Sequence, residues 1–316
     1  MVKLLKKYSK LLPFLGLFLF LLLLFQIDLN QLIFLTKHIK LTYLLFAFLL
    51  LIPFYIIKVL RWHFIMLKQG INLSFLKLLQ IYGIGIFLAL ITPGRIGELF
   101  KISYFTKEGI SAGKSLVNVI IDRFADIVFL FFFGCFSMLM FLNLFAKTLT
   151  LISIIILSII IVIFIILKTN LHQKIFHVIL QKLIPSEQKN AWQINFQTFK
   201  KDLIMIIKEH SLSIMAITII SWLLYYEIFY LLGQSLGLNQ VPFWFMAITL
   251  TISSFVTLIP ISISGIGTRD GVFIILLSFY SISLEKAMAL SLFVLLIFFV
   301  LAIWGLICWF LNPLKS

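Results

Sequence analysis

Residues 258–271, LIPISISGIGTRDG, interrupt a region of the chain that is otherwise apolar enough to lie in a membrane. The stretch combines a proline and three glycines with hydroxyl side chains and the adjacent charges Arg269 and Asp270. Irregular backbone and charge are tolerated at bilayer depth only where they are buried in protein or line a watery cavity. The stretch is therefore the first candidate for a functional site; the alternative is an ordinary loop between two helices.

The composition around this stretch is that of a polytopic helical membrane protein. The 316 residues are 62% hydrophobic and only 12% charged, and their mean hydropathy is +1.17. Apolar runs near the length that crosses a bilayer as a helix recur along the chain. The net charge of +15 would also suit a nucleic-acid-binding protein. However, the lysines cluster at the ends of apolar runs and not on one basic face, so we expect no nucleic acid partner.

The cysteines and histidines form no metal-binding or redox pattern. Both Cys135 and Cys308 lie in apolar runs, without CxxC or zinc spacing. The histidines fall at the predicted ends of membrane segments. No phosphate-binding loop is present, and no nucleophile has a neighbouring histidine. We predict no metal, no cofactor and no enzymatic activity.

Six apolar runs predict full transmembrane helices. They are residues 11–27, 41–60, 115–144, 149–167, 211–236 and 285–311. Two further segments, 75–109 and 242–280, contain proline and glycine breaks and are predicted to be re-entrant hairpins. A hairpin at 75–109 avoids placing several basic residues outside, against the positive-inside bias. The predicted fold is all-α, with about six full transmembrane helices and two re-entrant broken hairpins.

Each predicted hairpin carries charge beside its break. The first has Pro93, Gly94, Arg95, Gly97 and Glu98; the second has Pro260, Gly265, Gly267, Arg269 and Asp270. The order span, span, hairpin, span occurs twice, which predicts inverted halves at 1–144 and 145–316. Paired breaks in inverted halves mark the substrate site of many transporters. We therefore expect Arg95 and Arg269 to converge on one cavity and to bind the same anionic headgroup.

A polar stripe runs along the predicted helix 115–144. Asn118, Asp122 and Asp126 are spaced at i, i+4 and i+8, so they share one helical face, and Arg123 can reach Asp126 at i+3. This face is expected to point into the bundle. Glu227 lies midway along the run 211–236. The predicted substrate-binding residues are Arg95, Glu98, Asp122, Arg123, Asp126, Glu227, Arg269 and Asp270. By contrast, Lys58, Arg61 and Trp62 are predicted to anchor a helix end at the membrane interface.

The distribution of basic residues predicts the orientation. Of 26 Lys and Arg residues, 19 fall on the predicted cytoplasmic side and four on the other, so both termini are expected in the cytoplasm and the protein in the cell membrane. Residues 168–210 are polar and contain two amphipathic stretches. They are predicted to be cytoplasmic helices on an anionic leaflet, and at about 40 residues they are too short for a catalytic domain.

Three ordered motifs add a family resemblance. They are TPGRIGELFK at 92–101, IDRFADIVFL at 121–130 and PISISGIGTRDGVF at 260–273. Together they resemble the flippase-like transmembrane family typified by the membrane region of lysylphosphatidylglycerol synthase. The resemblance implies an integral membrane protein that handles lipids or lipid-linked sugars. Asp122 and Asp270 stand where glutamate is expected in this family. The soluble aminoacyl-transfer domain of the synthase is absent from the 316 residues.

The sequence favours lipid transport over two alternatives. In the favoured interpretation the protein translocates an anionic phospholipid or lipid-linked headgroup across the cytoplasmic membrane, with the intramembrane arginines holding the phosphate. The first alternative is an intramembrane lipid-modifying enzyme of an aminoacyl- or glycosyl-lipid pathway, which uses a carboxylate as general base. The second is a structural accessory partner of such an enzyme, whose buried charges pair only with each other.

Overall fold

The computed structural model describes residues 12–92, 96–140, 189–258 and 261–311. All regular elements within these ranges are helical, which confirms the predicted class. The α-helices are α1 (Leu12–Leu24), α2 (Leu29–Lys37), α3 (Leu41–Lys68), α4 (Phe75–Ile91), α5 (Lys101–Lys107), α6 (Ala112–Met140), α7 (Lys189–Ser235), α8 (Phe243–Leu258), α9 (Thr268–Leu277) and α10 (Leu284–Leu311). Short 3-10 helices occupy Ile96–Phe100 and Ser278–Tyr280. The predicted span at 149–167 lies outside the described residues.

Three described helices are long and apolar enough to cross a membrane. They are α3, the Ile194–Ser235 part of α7, and α10. A fourth span results if α1 and α2, which meet at 90°, count as one bent segment. Asp28 is the N-cap of α2, because its Oδ1 accepts a hydrogen bond from the backbone N–H of Asn30 at 2.8 Å. These helices establish an integral helical membrane protein.

The interfacial helix predicted at 168–210 is wrong for its described part. Residues 189–210 form the first half of α7, a continuous 47-residue helix that runs on into the predicted span 211–236. Their apolar face packs on protein, since Ile206 is fully buried with Ile65 and Val117. Asp202 accepts a hydrogen bond at 3.1 Å from Gln69, the residue that follows α3. The amphipathic period therefore marks a face buried against α3 and α6, not one on a leaflet.

After the first break the chain folds back along α4. The backbone N–H of Gly97 donates to Thr92 Oγ1 at 2.7 Å, and the Thr92 hydroxyl donates to the Leu88 carbonyl at 2.8 Å. A Cβ at position 97 would lie 2.1 Å from that carbonyl oxygen, so the turn back requires glycine. The 3-10 helix and α5 follow. Pro93, Gly94 and Arg95 themselves lie outside the described residues.

The second break packs against α1. Gly267 has φ +82°, and a Cβ there would lie 1.9 Å from the carbonyl oxygen of Gly16. The backbone N–H of Gly16 donates to the Ile261 carbonyl at 3.0 Å. Gly265 also has a positive φ, +77°, whereas Pro260 is outside the described residues. Close backbone contact therefore joins the first helix to this break, as small residues allow in membrane proteins.

Gly267→Ala is expected to destabilise the protein because the methyl group would collide with α1 and alanine disfavours a positive φ. The expected result is a lower midpoint of thermal unfolding in detergent, measured by size-exclusion chromatography after heating. Gly271→Ala is the matched control, since it lies in α9 and its Cβ would meet nothing within 4 Å. Equal midpoints for the two variants would contradict this packing.

Candidate functional site

Arg61 of α3 is the centre of a buried charge cluster. It is fully buried, and its Nη2 lies 2.6 Å from Asp122 Oδ1 while its Nη1 lies 2.8 Å from Asp126 Oδ1. The same Nη1 donates to Thr218 of α7 at 2.9 Å. Lys58, one turn earlier on α3, bonds Asp126 at 2.7 Å. One guanidinium thus joins three helices.

The prediction of Lys58, Arg61 and Trp62 as an interface anchor is therefore wrong. Helix α3 continues to Lys68, so these side chains lie within the bundle and not at a helix end. Trp62 and Arg61 are both fully buried. A signal was present in the sequence: cations spaced i, i+3 on one helix complement carboxylates spaced i, i+4 on another.

The spacing predicted that Arg123 pairs with Asp126, but in the structure it does not. Its Nη2 contacts Glu98 Oε2 from the 3-10 helix after the first break. Asp126 faces α3 and α7 instead, where Lys58 and Arg61 occupy it. Lys101 is one of the basic residues counted on the predicted cytoplasmic side. In the structure it is only 2% exposed and lies 3.3 Å from Glu98. The first motif thus supplies a buried carboxylate, Glu98, and a buried cation, Lys101.

Four of these charged residues border a cavity of about 110 Å³ between helices from both ends of the chain. That volume is several times what one water needs, so the cavity can hold water or a small polar group such as a phosphate. The charged residues of its wall are Lys58, Glu98, Arg123 and Asp126, and its polar aromatic residues are Tyr55, Tyr82, Trp222 and Tyr225.

The three sequence motifs meet at this cavity. The first contributes Glu98, the second Arg123 and Asp126, and the third Ser264. Ser264 has a φ of +52°. Its hydroxyl donates at 2.5 Å to the carbonyl of Leu90, a residue that lies shortly before the first break. A non-glycine residue held in this conformation is a local strain that clusters at functional sites. The second broken segment therefore touches the first beside the charged wall.

Arg269 lies behind Ser264 and not on the cavity wall. Its Nε donates to Ser291 of α10 at 2.7 Å, its Nη1 to the Ser264 carbonyl at 3.2 Å and its Nη2 to Asp270 at 3.3 Å. Asp270 also accepts the backbone N–H of Gly267 at 2.7 Å. This network holds Ser264 in place. Arg269 is thus satisfied locally, and its expected meeting with Arg95 stays a prediction, because Arg95 lies outside the described residues.

The remaining predicted site residues take different positions. Asn118, Asp122 and Asp126 are all buried, as the inward stripe predicted. Asp122 forms an ion pair with Arg61 but does not line the cavity. Glu227 is half-buried on α7 and does not line it either. Within the described ranges no group of three His, Cys, Asp or Glu side chains could hold a metal ion.

Apolar helices that enclose buried charges beside a cavity are typical of a polytopic helical membrane protein. The chain belongs to the lysylphosphatidylglycerol synthase TM region family, which matches residues 12–305. It is similar to a UPF0104 membrane protein of Pyrococcus horikoshii, with 30% identity over 313 residues that cover 90% of each chain. No solved structure matches it significantly. The predicted family is thus confirmed, and the role of the protein is a membrane, lipid-related one.

Proposed function

We propose that this protein translocates an anionic phospholipid or lipid-linked headgroup across the cell membrane through the cavity. The observation that carries the proposal is the meeting of three distant motifs, through Glu98, Arg123, Asp126 and Ser264, on one cavity with charged groups in its wall. A polar wall in lipid surroundings is expensive unless it serves a ligand or an ion path. The apolar helices around it would leave the acyl chains in the bilayer.

The charge balance of the cluster supports an anionic ligand. Its described members are four cations and three carboxylates, namely Lys58, Arg61, Lys101, Arg123, Glu98, Asp122 and Asp126. One positive charge is left in excess in a low-dielectric setting, where an uncompensated charge is costly. A bound phosphate oxygen would offset this excess charge.

The proposal includes the architecture expected from the sequence. Residues 1–144 and 145–316 are taken as inverted halves, each with a re-entrant broken hairpin, and six helices as full spans. The contact of Ser264 with Leu90, which brings the two breaks together, supports this arrangement. Both termini are placed in the cytoplasm.

The test of transport is lipid movement in vesicles that contain the purified protein. Phosphatidylglycerol with a fluorescent label on an acyl chain is incorporated, and dithionite is added outside to bleach the accessible label. Protein-free vesicles should lose only the outer-leaflet signal, whereas protein-containing vesicles should lose most of the signal. Identical bleaching in the two samples would contradict the proposed function.

The proposed orientation predicts that position 200 is inaccessible from outside. Lys200 lies exposed near the start of α7, on the side assigned to the cytoplasm. A single cysteine there, in a protein with Cys135 and Cys308 replaced, should react with an impermeant maleimide only after the cells are permeabilised. A single cysteine at Lys286, assigned to the outside, should react in intact cells. The reverse pattern would invert the topology.

We also expect no aminoacyl transfer by this chain. Both wall carboxylates are held by cations, which weakens them as general bases. Purified protein incubated with lysyl-tRNA and phosphatidylglycerol should leave the lipid unmodified, as judged by mass spectrometry. Formation of lysylated lipid at enzyme-like rates would favour the lipid-modifying alternative.

A further inference from the structure

We infer that the cavity selects lipids whose headgroup carries an anionic phosphodiester without a cationic amine. The inference rests on the proposed function and specifies its substrate class. The protein's own cations already contact the carboxylates and three aromatic rings of the cavity wall, whereas a phosphodiester would meet charged donors there.

The first wall carboxylate, Asp126, already has two protein cations on it. Its Oδ1 accepts from Lys58 at 2.7 Å, from Arg61 at 2.8 Å and from the Trp222 indole at 3.0 Å. Its Oδ2 accepts from Arg61 at 3.2 Å. Two cations and an indole thus share one carboxylate. An incoming ammonium would meet the positive charge of both cations at this carboxylate.

The second wall carboxylate, Glu98, is held in the same way. Arg123 contacts its Oε2, and Lys101 approaches the same oxygen at 3.3 Å. The side chain of Glu98 is only 6% exposed. Each carboxylate of the wall therefore has two cations of the protein on it, and neither is left to attract a third.

Three aromatic rings of the cavity wall already carry a lysine of the protein. The Lys58 ammonium lies 5.4 Å from the Trp222 ring and 5.9 Å from the Phe54 ring. The Lys101 ammonium lies 4.0 Å from the Tyr82 ring. All three rings line the cavity. Because the protein's own lysines cover these faces, cation–π binding of a headgroup amine has lost its best positions.

The charged donors of the wall still have hydrogen bonds to give. Lys58 has three N–H groups and gives one hydrogen bond to Asp126. Arg123 is 28% exposed in its side chain and carries a positive charge. The non-bridging oxygens of a phosphodiester are acceptors and carry the opposite charge. A headgroup with an added ammonium brings donors and positive charge to a wall already rich in both.

The test compares three acyl-labelled lipids in vesicles that contain the wild-type protein: phosphatidylglycerol, phosphatidylethanolamine and lysylated phosphatidylglycerol. Since juxtaposed like charges are strongly unfavourable, phosphatidylglycerol should cross at least about tenfold faster than either amine-bearing lipid. Equal or faster movement of an amine-bearing lipid would overturn the selectivity but leave the transport proposal standing. If none of the three lipids moves, both fail.

A variant separates selectivity from general damage. Lys101→Met keeps the length of the buried side chain but removes one cation from Glu98 and from the Tyr82 ring. The rate for phosphatidylethanolamine relative to phosphatidylglycerol should rise about threefold or more, because an acceptor and an aromatic face become available. Lys200→Gln, on the exposed face of α7, should leave the ratio unchanged. A loss of both rates in proportion would show a purely structural role for Lys101 and would count against the inference.

Discussion

Replacing Arg61 with leucine is expected to prevent the protein from accumulating in a folded form. The guanidinium is fully buried and binds both Asp122 and Asp126. Removing it leaves two carboxylates with only Lys58 to balance them. Removal of one partner from a buried ion pair typically destabilises by about 3–5 kcal/mol, which is a large part of the stability of a domain.

The measurement is the yield and thermal unfolding midpoint of a fluorescent fusion by size-exclusion chromatography. Lys68→Leu is the matched control, because it removes an exposed cation from the same helix. The double variant Arg61→Leu/Asp122→Leu should recover part of the loss, since Asp126 keeps Lys58 and the charge balance is restored. A wild-type yield and midpoint for Arg61→Leu alone would show that this cluster does not hold the helices together.

Replacing Arg123 with glutamine is expected to slow lipid movement strongly while the protein still folds. Arg123 lines the cavity and its side chain is 28% exposed, whereas Arg61 is fully enclosed. Glu98 would keep Lys101 as a partner, so the variant leaves no carboxylate uncompensated. A hydrogen bond to a charged group is worth about 1.5–3 kcal/mol, which corresponds to a rate about ten- to a hundredfold lower if it is made during transport.

The vesicle assay with labelled phosphatidylglycerol measures this effect, and Lys200→Gln controls for the loss of a cation away from the cavity. Arg123→Lys should be intermediate, since a point charge cannot hold Glu98 and a phosphate through one planar fork. Normal transport by Arg123→Gln, together with a normal unfolding midpoint, would assign Arg123 a role in neither transport nor folding and would remove the main support for headgroup binding.

Periodicity and breaks in the sequence predicted much of this fold. The inward stripe of Asn118, Asp122 and Asp126 follows from helical spacing alone, and all three are buried. The glycines at 97 and 267 were predicted as breaks, and both lie at close backbone contacts. Local patterns of this kind depend on the chain's own geometry, so no neighbouring helix is needed to predict them.

The partners of the charges could not be predicted in the same way. Spacing on α6 allowed Arg123 to reach Asp126, but the packing of α3 and α7 decided that Asp126 binds Arg61 and Lys58. Similarly, Ser291 of α10 satisfies Arg269 across more than twenty positions of sequence. A helix pattern shows which face is polar but not which helix lies opposite, and topology rules count a cation without showing whether it is buried.

The most direct test of the central claim is whether an anionic lipid occupies the cavity. A benzophenone amino acid at Tyr225, which lines the cavity on α7, would capture the occupant on illumination in native membranes. The same amino acid at Ile220, exposed on the same helix and away from the cavity, reports the surrounding bilayer. We expect mass spectrometry to find anionic phospholipid enriched at position 225 over position 220, and the enrichment to disappear in Arg123→Gln. The same lipid composition at both positions, or no lipid captured at 225, would contradict the account.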